Sequence, residues 1–271
     1  MAQTILVTGA SSGIGKEAVR RFHLSGWHVL ATMRNPEKEE ELTKLKGVRV
    51  CRLDVEDSAS IASAVSKGVA HFGAVDLLLN NAGYGSYGLL EASSMDEVRR
   101  QINVNLVGLI ETTKALLPHF RSRERGMIIN VSSIGGQVAF PLSSLYNASK
   151  FAVEGLSESL RYELQAIGVV VKLIEPGMIK TDFAGRSLTF SNDSSLKAYQ
   201  PLVSRYLERR KKSVQGAASA QMVAETIFQA ATDKTDRFRY VAGEDAESLY
   251  QARKELDDAS LFATIQEKMI G

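Results

Sequence analysis

The sequence predicts an α/β fold: a doubly wound parallel sheet of about seven strands, with helices on both faces, in one domain spanning residues 1–271. Three observations predict it. Short, near-continuous apolar runs recur along the chain, as expected of strands covered on both faces. Amphipathic segments separate them. A glycine-rich turn directly follows the first run.

The strand candidates are Thr4–Gly9, Trp27–Met33, Val48–Val55, Val75–Gly83, Gly126–Ser133, Val169–Gly177 and Phe238–Gly243. The intervening segments carry helix signals. GKEAVRRFHLSG starts after the glycine turn and stops at Gly26. NPEKEEELTKLKG has Pro36 near its first turn, acids early and lysines late, as a helix dipole favours. Asp57 or Ser58 caps the segment that ends at Gly73. Ser94–Arg123 reads as the longest helix, with Pro118 near its end. Segment 183–215 breaks the alternation; it is long, polar and mixed, and is expected to be a substrate lid. Its basic cluster Arg209–Lys212 reads as a solvated helix face, as do the acids Glu37–Glu41.

Composition narrows the partners. With 44% hydrophobic residues and a formal net charge of +2, the chain has ample material for a core and no bias toward nucleic acid or membrane. Its one cysteine, Cys51, rules out an intrachain disulfide and reads as a strand residue. The N-terminus lacks a basic n-region and a long apolar run, and no apolar stretch has membrane-spanning length, so a cytoplasmic protein is expected. His23, His28, His71 and His119 lack metal-ligand spacing, and no metal is expected. No G-x-S-x-G elbow supports a hydrolase.

The turn Thr8-Gly9-Ala10-Ser11-Ser12-Gly13-Ile14-Gly15 lies between a strand and a helix. Glycines there let backbone approach a pyrophosphate, whose charge the helix N-terminus stabilises. This makes the sheet Rossmann-type and predicts a dinucleotide site. Strand two ends ATMRN. Met33 stands where an NAD-binding acid is expected, with Arg34 and Asn35 following. A guanidinium beside a neutral position suits a 2′-phosphate, so NADP(H) is favoured over NAD(H). Ser11, Ser12 or Lys16 could assist.

Tyr146 and Lys150, in YNASK, share a face if their run is helical. Free tyrosine titrates near pH ~10 and lysine near ~10.4. A nearby ammonium favours the phenolate, so Lys150 is expected to bring the Tyr146 hydroxyl down toward a useful range.

TGASSGIG, LDV, NNAG, NVNLVG, the SS pair, YNASK and EPGMIKTDF occur in the order of the short-chain dehydrogenase/reductase family, which the chain resembles from Thr4 to about Phe183. The runs ATMRN and YNASKFAVEGLSESL look most like its 17β-hydroxysteroid and retinol dehydrogenase-like members. The resemblance implies adenine contacts from Asp54 and Val55, a ribose wall from Asn81, Ala82 and Gly83, and a nicotinamide end held by Pro176, Gly177 and Thr181. It implies Tyr146 as proton donor, Lys150 on the ribose, and Ser133, thirteen residues before the tyrosine, on the substrate oxygen. Asn105 would hold a relay water.

The function expected is reduction of a small apolar ketone or aldehyde, or oxidation of the matching alcohol, by a homodimer or homotetramer. Phe140, Leu142, Leu145, Phe183 and Tyr206 are the expected apolar wall. The alternatives are an NAD-preferring dehydrogenase of hydroxy compounds, a non-enzymatic dinucleotide sensor, and a lyase or epimerase.

Overall fold

The computed structural model describes residues 2–180, 188–213 and 217–271. Seven parallel strands form the main sheet: β1 (Thr4–Val7), β2 (His28–Met33), β3 (Val48–Arg52), β4 (Leu77–Asn80), β5 (Gly126–Val131), β6 (Val169–Pro176) and β7 (Arg239–Ala242). Their spatial order is β7-β6-β5-β4-β1-β2-β3. All seven expected strands are present, each within its expected run.

Alternate residues feed two cores. Ile5, Val7, Val29, Ala31, Leu77 and Leu79 face one layer, with Phe22 of helix α1 (Gly13–Leu24) and Ile227 of α7 (Ala220–Thr232). Leu6, Leu30 and Leu78 face the other. That layer includes α2 (Ser58–Phe72), α4 (Gly108–Arg123) and α5 (Ser144–Gln165). Each such leucine, taken fully out of water, contributes roughly 1.5–3 kcal/mol. The chain order reverses direction between β1 and β4. That reversal opens a crevice at the strands' C-terminal ends.

Two expectations are corrected, the helix over Asn35–Gly47 and the solvated placement of Glu39. The segment Asn35–Gly47 forms only two 3₁₀ turns, Pro36–Lys38 and Leu42–Lys44. Glu39 is the reason. Its carboxylate accepts from the backbone N–H of Glu41 and of Leu42, both at 3.0 Å, so those donors are taken by a side chain. Glu39 is therefore buried rather than solvated, and Lys16 Nζ reaches it at 3.1 Å.

Ser94–Arg123 is helical throughout, but not uniformly. Ser94 and Glu97 form a capping box for α3 (Met95–Ile102), and a π turn spans Asn103–Val107 before α4. The described part of the 183–215 segment is ordered structure. Leu188–Ser191 pairs in parallel with Gly85–Gly88, and α6 runs Gln200–Ser213. Two further helices, α8 (Glu244–Glu255) and α9 (Asp258–Met269), close the chain. No helix among the described residues is long and apolar enough to cross a membrane.

Candidate active site

The glycine turn is braced from the neighbouring strand. Thr8 Oγ1 accepts from the N–H of Asn81 at 2.9 Å and of Ala82 at 3.0 Å. Asn81 Nδ2 donates to the carbonyls of Thr8 at 2.9 Å and Gly9 at 3.2 Å. Gly9 has φ +69°, and a Cβ there would lie 2.9 Å from Ala82 Cα. Gly13, at φ +54°, opens α1. These positions leave a backbone-lined cradle at a helix N-terminus, the shape and polarity a pyrophosphate needs.

That cradle lies in a cavity of about 670 Å³, large enough for a dinucleotide end and a small substrate. Fifteen of the expected cofactor positions line it: Gly9, Ser11, Ser12, Gly13, Ile14, Arg34, Asp54, Val55, Asn81, Ala82, Gly83, Tyr146, Lys150, Pro176 and Gly177. Two do not. Asn35 caps the Pro36 turn outside it. Gly15 instead lets α1 lie against the turn, since a Cβ there would fall 2.3 Å from the Gly9 carbonyl oxygen. Lys16 is held by Glu39 and Glu41, both at 3.1 Å, and is thereby turned away from a phosphate role. Thr181 and Phe183 lie outside the described residues.

At the far end, Ser133 and Tyr146 meet. Their hydroxyls hydrogen-bond, while Ser133 Oγ also accepts from Gly135 N–H at 3.0 Å and donates to the Pro176 carbonyl at 3.3 Å. Ser133 is thus fixed at the C-terminal end of β5 with its oxygen toward the cavity. Tyr146 and Lys150 sit one turn apart on α5, as their spacing predicts. Lys150 is 8% exposed; its Nζ donates to the Val131 carbonyl at 2.9 Å and lies 5.9 Å from the Tyr146 ring centre.

The expected drop of the Tyr146 pKa is not found. Burial pushes its hydroxyl up, and the hydrogen bond with Ser133 and the charge of Arg210 only oppose that. Burial pulls Lys150 down to about 8, with Glu154 opposing. At that distance, with its ammonium directed to a carbonyl, Lys150 does not bring the phenol down. Burial outweighs the other influences.

Asn105 takes a bracing position. It is buried behind the cavity wall rather than lining it. Its Oδ1 accepts from Tyr84 N–H at 3.0 Å, and its Nδ2 donates to the Tyr84 carbonyl at 2.9 Å and to Ser149 Oγ at 3.1 Å. Both amide donors are used, so the side chain braces the wall segment.

Phe140 and Tyr206 line the substrate end as expected; Leu142 and Leu145 do not. Residues not anticipated there are Met178, Asp245, Leu249, Lys268, Met269 and Arg210. Asp245 accepts from Met178 N–H at 2.7 Å, which fixes the turn after Gly177. For Arg210 a sequence signal existed. Val203, Tyr206 and Arg210 recur at helical spacing, and the first two are buried.

The profile of the short chain dehydrogenase family matches residues 3–191. The chain belongs to that family. An uncharacterised oxidoreductase of Schizosaccharomyces pombe is 41% identical over 242 residues, 88% of this chain and 99% of the relative. A 3-ketodihydrosphingosine reductase of Bacteroides thetaiotaomicron is 35% identical over 252 residues, 93% and 92% of the two chains. The crystal structure of a short-chain dehydrogenase from Streptomyces avermitilis superposes with a TM-score of 0.84 at 31% identity, covering 98% of this chain and 95% of that one. ElxO with NADP bound gives 0.75 at 28% identity over 92% and 100%. A Burkholderia phymatum family member in complex with NAD gives 0.80 at 26% over 96% and 95%. The protein is thus an NAD(P)-dependent oxidoreductase of the family that interconverts CH–OH and C=O groups.

Proposed function

We propose that the protein reduces a ketone or aldehyde with NADPH, with Tyr146 as proton donor. The observation that carries this reading is the hydrogen-bonded Ser133–Tyr146 pair in the same cavity as the glycine cradle. When bound, the dinucleotide supplies the hydride. Ser133 positions the carbonyl oxygen, and the Tyr146 hydroxyl gives it a proton as negative charge develops there. Lys150 holds the ribose and returns a proton to Tyr146. Asn105 acts at one remove, by fixing Tyr84 and Ser149.

NADP preference is supported by Arg34. It lines the cavity next to Met33, with no acidic partner among the described residues. Bound NADP in one relative and NAD in another leave both cofactors to be compared directly. The relative named a 3-ketodihydrosphingosine reductase supports a ketone as the oxidised substrate. We place the protein in the cytoplasm as a homo-oligomer paired through α5, where Tyr162 is 79% and Phe151 45% exposed. Light scattering after gel filtration reads that assembly.

The test is a ketone, aldehyde and alcohol panel assayed by NAD(P)H absorbance with each cofactor. Carbonyl-dependent oxidation of NADPH, faster than of NADH, is expected. Tight NADPH binding without turnover across the panel would instead identify a dinucleotide sensor. Product formed without net NADPH consumption would identify a lyase or epimerase.

A further inference from the structure

We propose that Arg210 is a specificity-determining residue that selects a carbonyl substrate bearing an anionic group, a carboxylate or a phosphate monoester. This rests on the reading of the cavity as a carbonyl-reducing site, and it names the substrate class that site takes.

Arg210 is part of a basic run that reads as solvent-facing, yet α6 turns it inward. It projects from the same face as Val203 and Tyr206, which are 3% and 1% exposed. Its Nη1 donates to Tyr206 Oη at 2.9 Å. Its guanidinium carbon lies 4.7 Å from the centre of the Tyr87 ring, and it also hydrogen-bonds the Tyr87 hydroxyl. Tyr87 in turn stacks on Tyr146, with ring centres 5.3 Å apart and planes at 24°. Arg210 therefore stands one aromatic ring away from the proposed proton donor, on the cavity wall.

This cation has no carboxylate partner among the described residues. Arg100, which lines the same cavity, has Glu56 at 3.8 Å. The cavity's acids are engaged elsewhere: Asp54 accepts from Glu56 N–H at 3.1 Å, and Asp245 from Met178 N–H at 2.7 Å. The two phenols at Arg210 are weak counterparts, because burial pushes the Tyr87 hydroxyl far up and keeps it neutral. A partly buried, uncompensated cation is costly unless a ligand brings the opposite charge. A guanidinium offers five N–H donors in a planar fork, and two phenol oxygens leave donors for a carboxylate or phosphate. Lys268, on the helix packed against α6, adds positive charge to the same cavity. The same cavity is also lined by the apolar Phe140, Leu188 and Leu249. The complement of this surface is an apolar body with an acidic end, its carbonyl oxygen at Tyr146.

The test uses the full chain with NADPH and aryl ketones separated by varied spacers from a carboxylate, a phosphate monoester or a methyl ester. The acid forms are expected to exceed the matched ester in kcat/KM by about tenfold or more. Arg210→Met should collapse that ratio and Arg210→Lys should retain part of it. The carboxylate and phosphate arms tell which anion is taken. A ratio of one, or a ratio unchanged in Arg210→Met, overturns the inference. An equal fall for acid and ester with a displaced pH profile also overturns it, because Arg210 would then act on Tyr146 alone. If no carbonyl is turned over, the catalytic reading fails separately. Calorimetric binding of the same acids and esters to the NADPH-saturated protein then decides: acid binding lost in Arg210→Met sustains the inference, and equal binding of acid and ester ends it.

Discussion

The side-chain amide of Asn105 brackets the backbone of Tyr84, accepting from its N–H at 3.0 Å and donating to its carbonyl at 2.9 Å. Tyr84 opens the segment that carries Tyr87 to Tyr146. Truncating Asn105 leaves the half-buried Tyr84 N–H without its acceptor, while the Tyr84 carbonyl keeps a bond from Gln101 Nε2 at 3.1 Å; one such lost partner costs about 1–3 kcal/mol. Asn105→Ala should lower stability by that amount in urea titrations and lower kcat at the same time. Unchanged stability would show that the bracket does not bear on the fold.

Gly15 lies behind the cradle and makes no cavity contact. An added Cβ would meet Gly9 O at 2.3 Å and Asn81 Nδ2 at 2.5 Å, both parts of the braced turn. Gly15→Ala should therefore weaken NADPH binding by about tenfold or more, read by NADPH fluorescence, although Gly15 touches no ligand. Wild-type affinity would show that the turn moves without loss.

Burial pulls Lys150 down to about 8. Its ammonium form is the one that serves Tyr146, so reductive kcat/KM should fall as pH rises through about 8. The stability sign is the reverse. Below about 8 the unfolded chain holds this proton more tightly, so the lysine opposes folding there, and its penalty fades as pH rises toward ~10.4. A rate profile flat across the range from about pH 7 to 9.5 would contradict the assignment.

Arg239 joins Glu175 at 3.0 Å and Glu154 at 3.2 Å in a buried cluster beneath the site. Burial raises the Glu175 carboxyl to about 8, and Arg239 opposes this. Arg239→Met should cost about 2–4 kcal/mol. Below about pH 8 Glu175 is protonated in the folded state with or without the arginine, so its ionisation adds nothing to the difference. Above it, folded Glu175 must ionise without its cation, and the loss should grow. Denaturation at about pH 6 and pH 9 compares the two; an equal loss at both would contradict the linkage.

The strands were legible because the central ones are near-continuous apolar runs and the edge strand β3, with Arg49 and Arg52 exposed, still alternates with apolar residues, so no tertiary fact was needed to find them. YNASK and the glycine turn were legible because spacing within one element fixes their geometry. The failures came where a side chain or a distant element decides. Pro36 and the charge order around it favour a helix, and nothing local shows that Glu39 will take the N–H groups a helix needs. The pKa of Tyr146 depends on how deeply the cavity encloses it, which a four-residue spacing does not carry. Arg210 was masked by its neighbours in a basic run, although the stripe Val203–Tyr206–Arg210 was present to be read.

The central proposal is proton delivery by Tyr146, and one measurement addresses it most directly: ketone-dependent NADPH oxidation by Tyr146→Phe, with NADPH binding followed on the same sample. Loss of turnover by about a hundredfold or more with cofactor affinity kept is the expected result. Full turnover by the phenylalanine variant would contradict it.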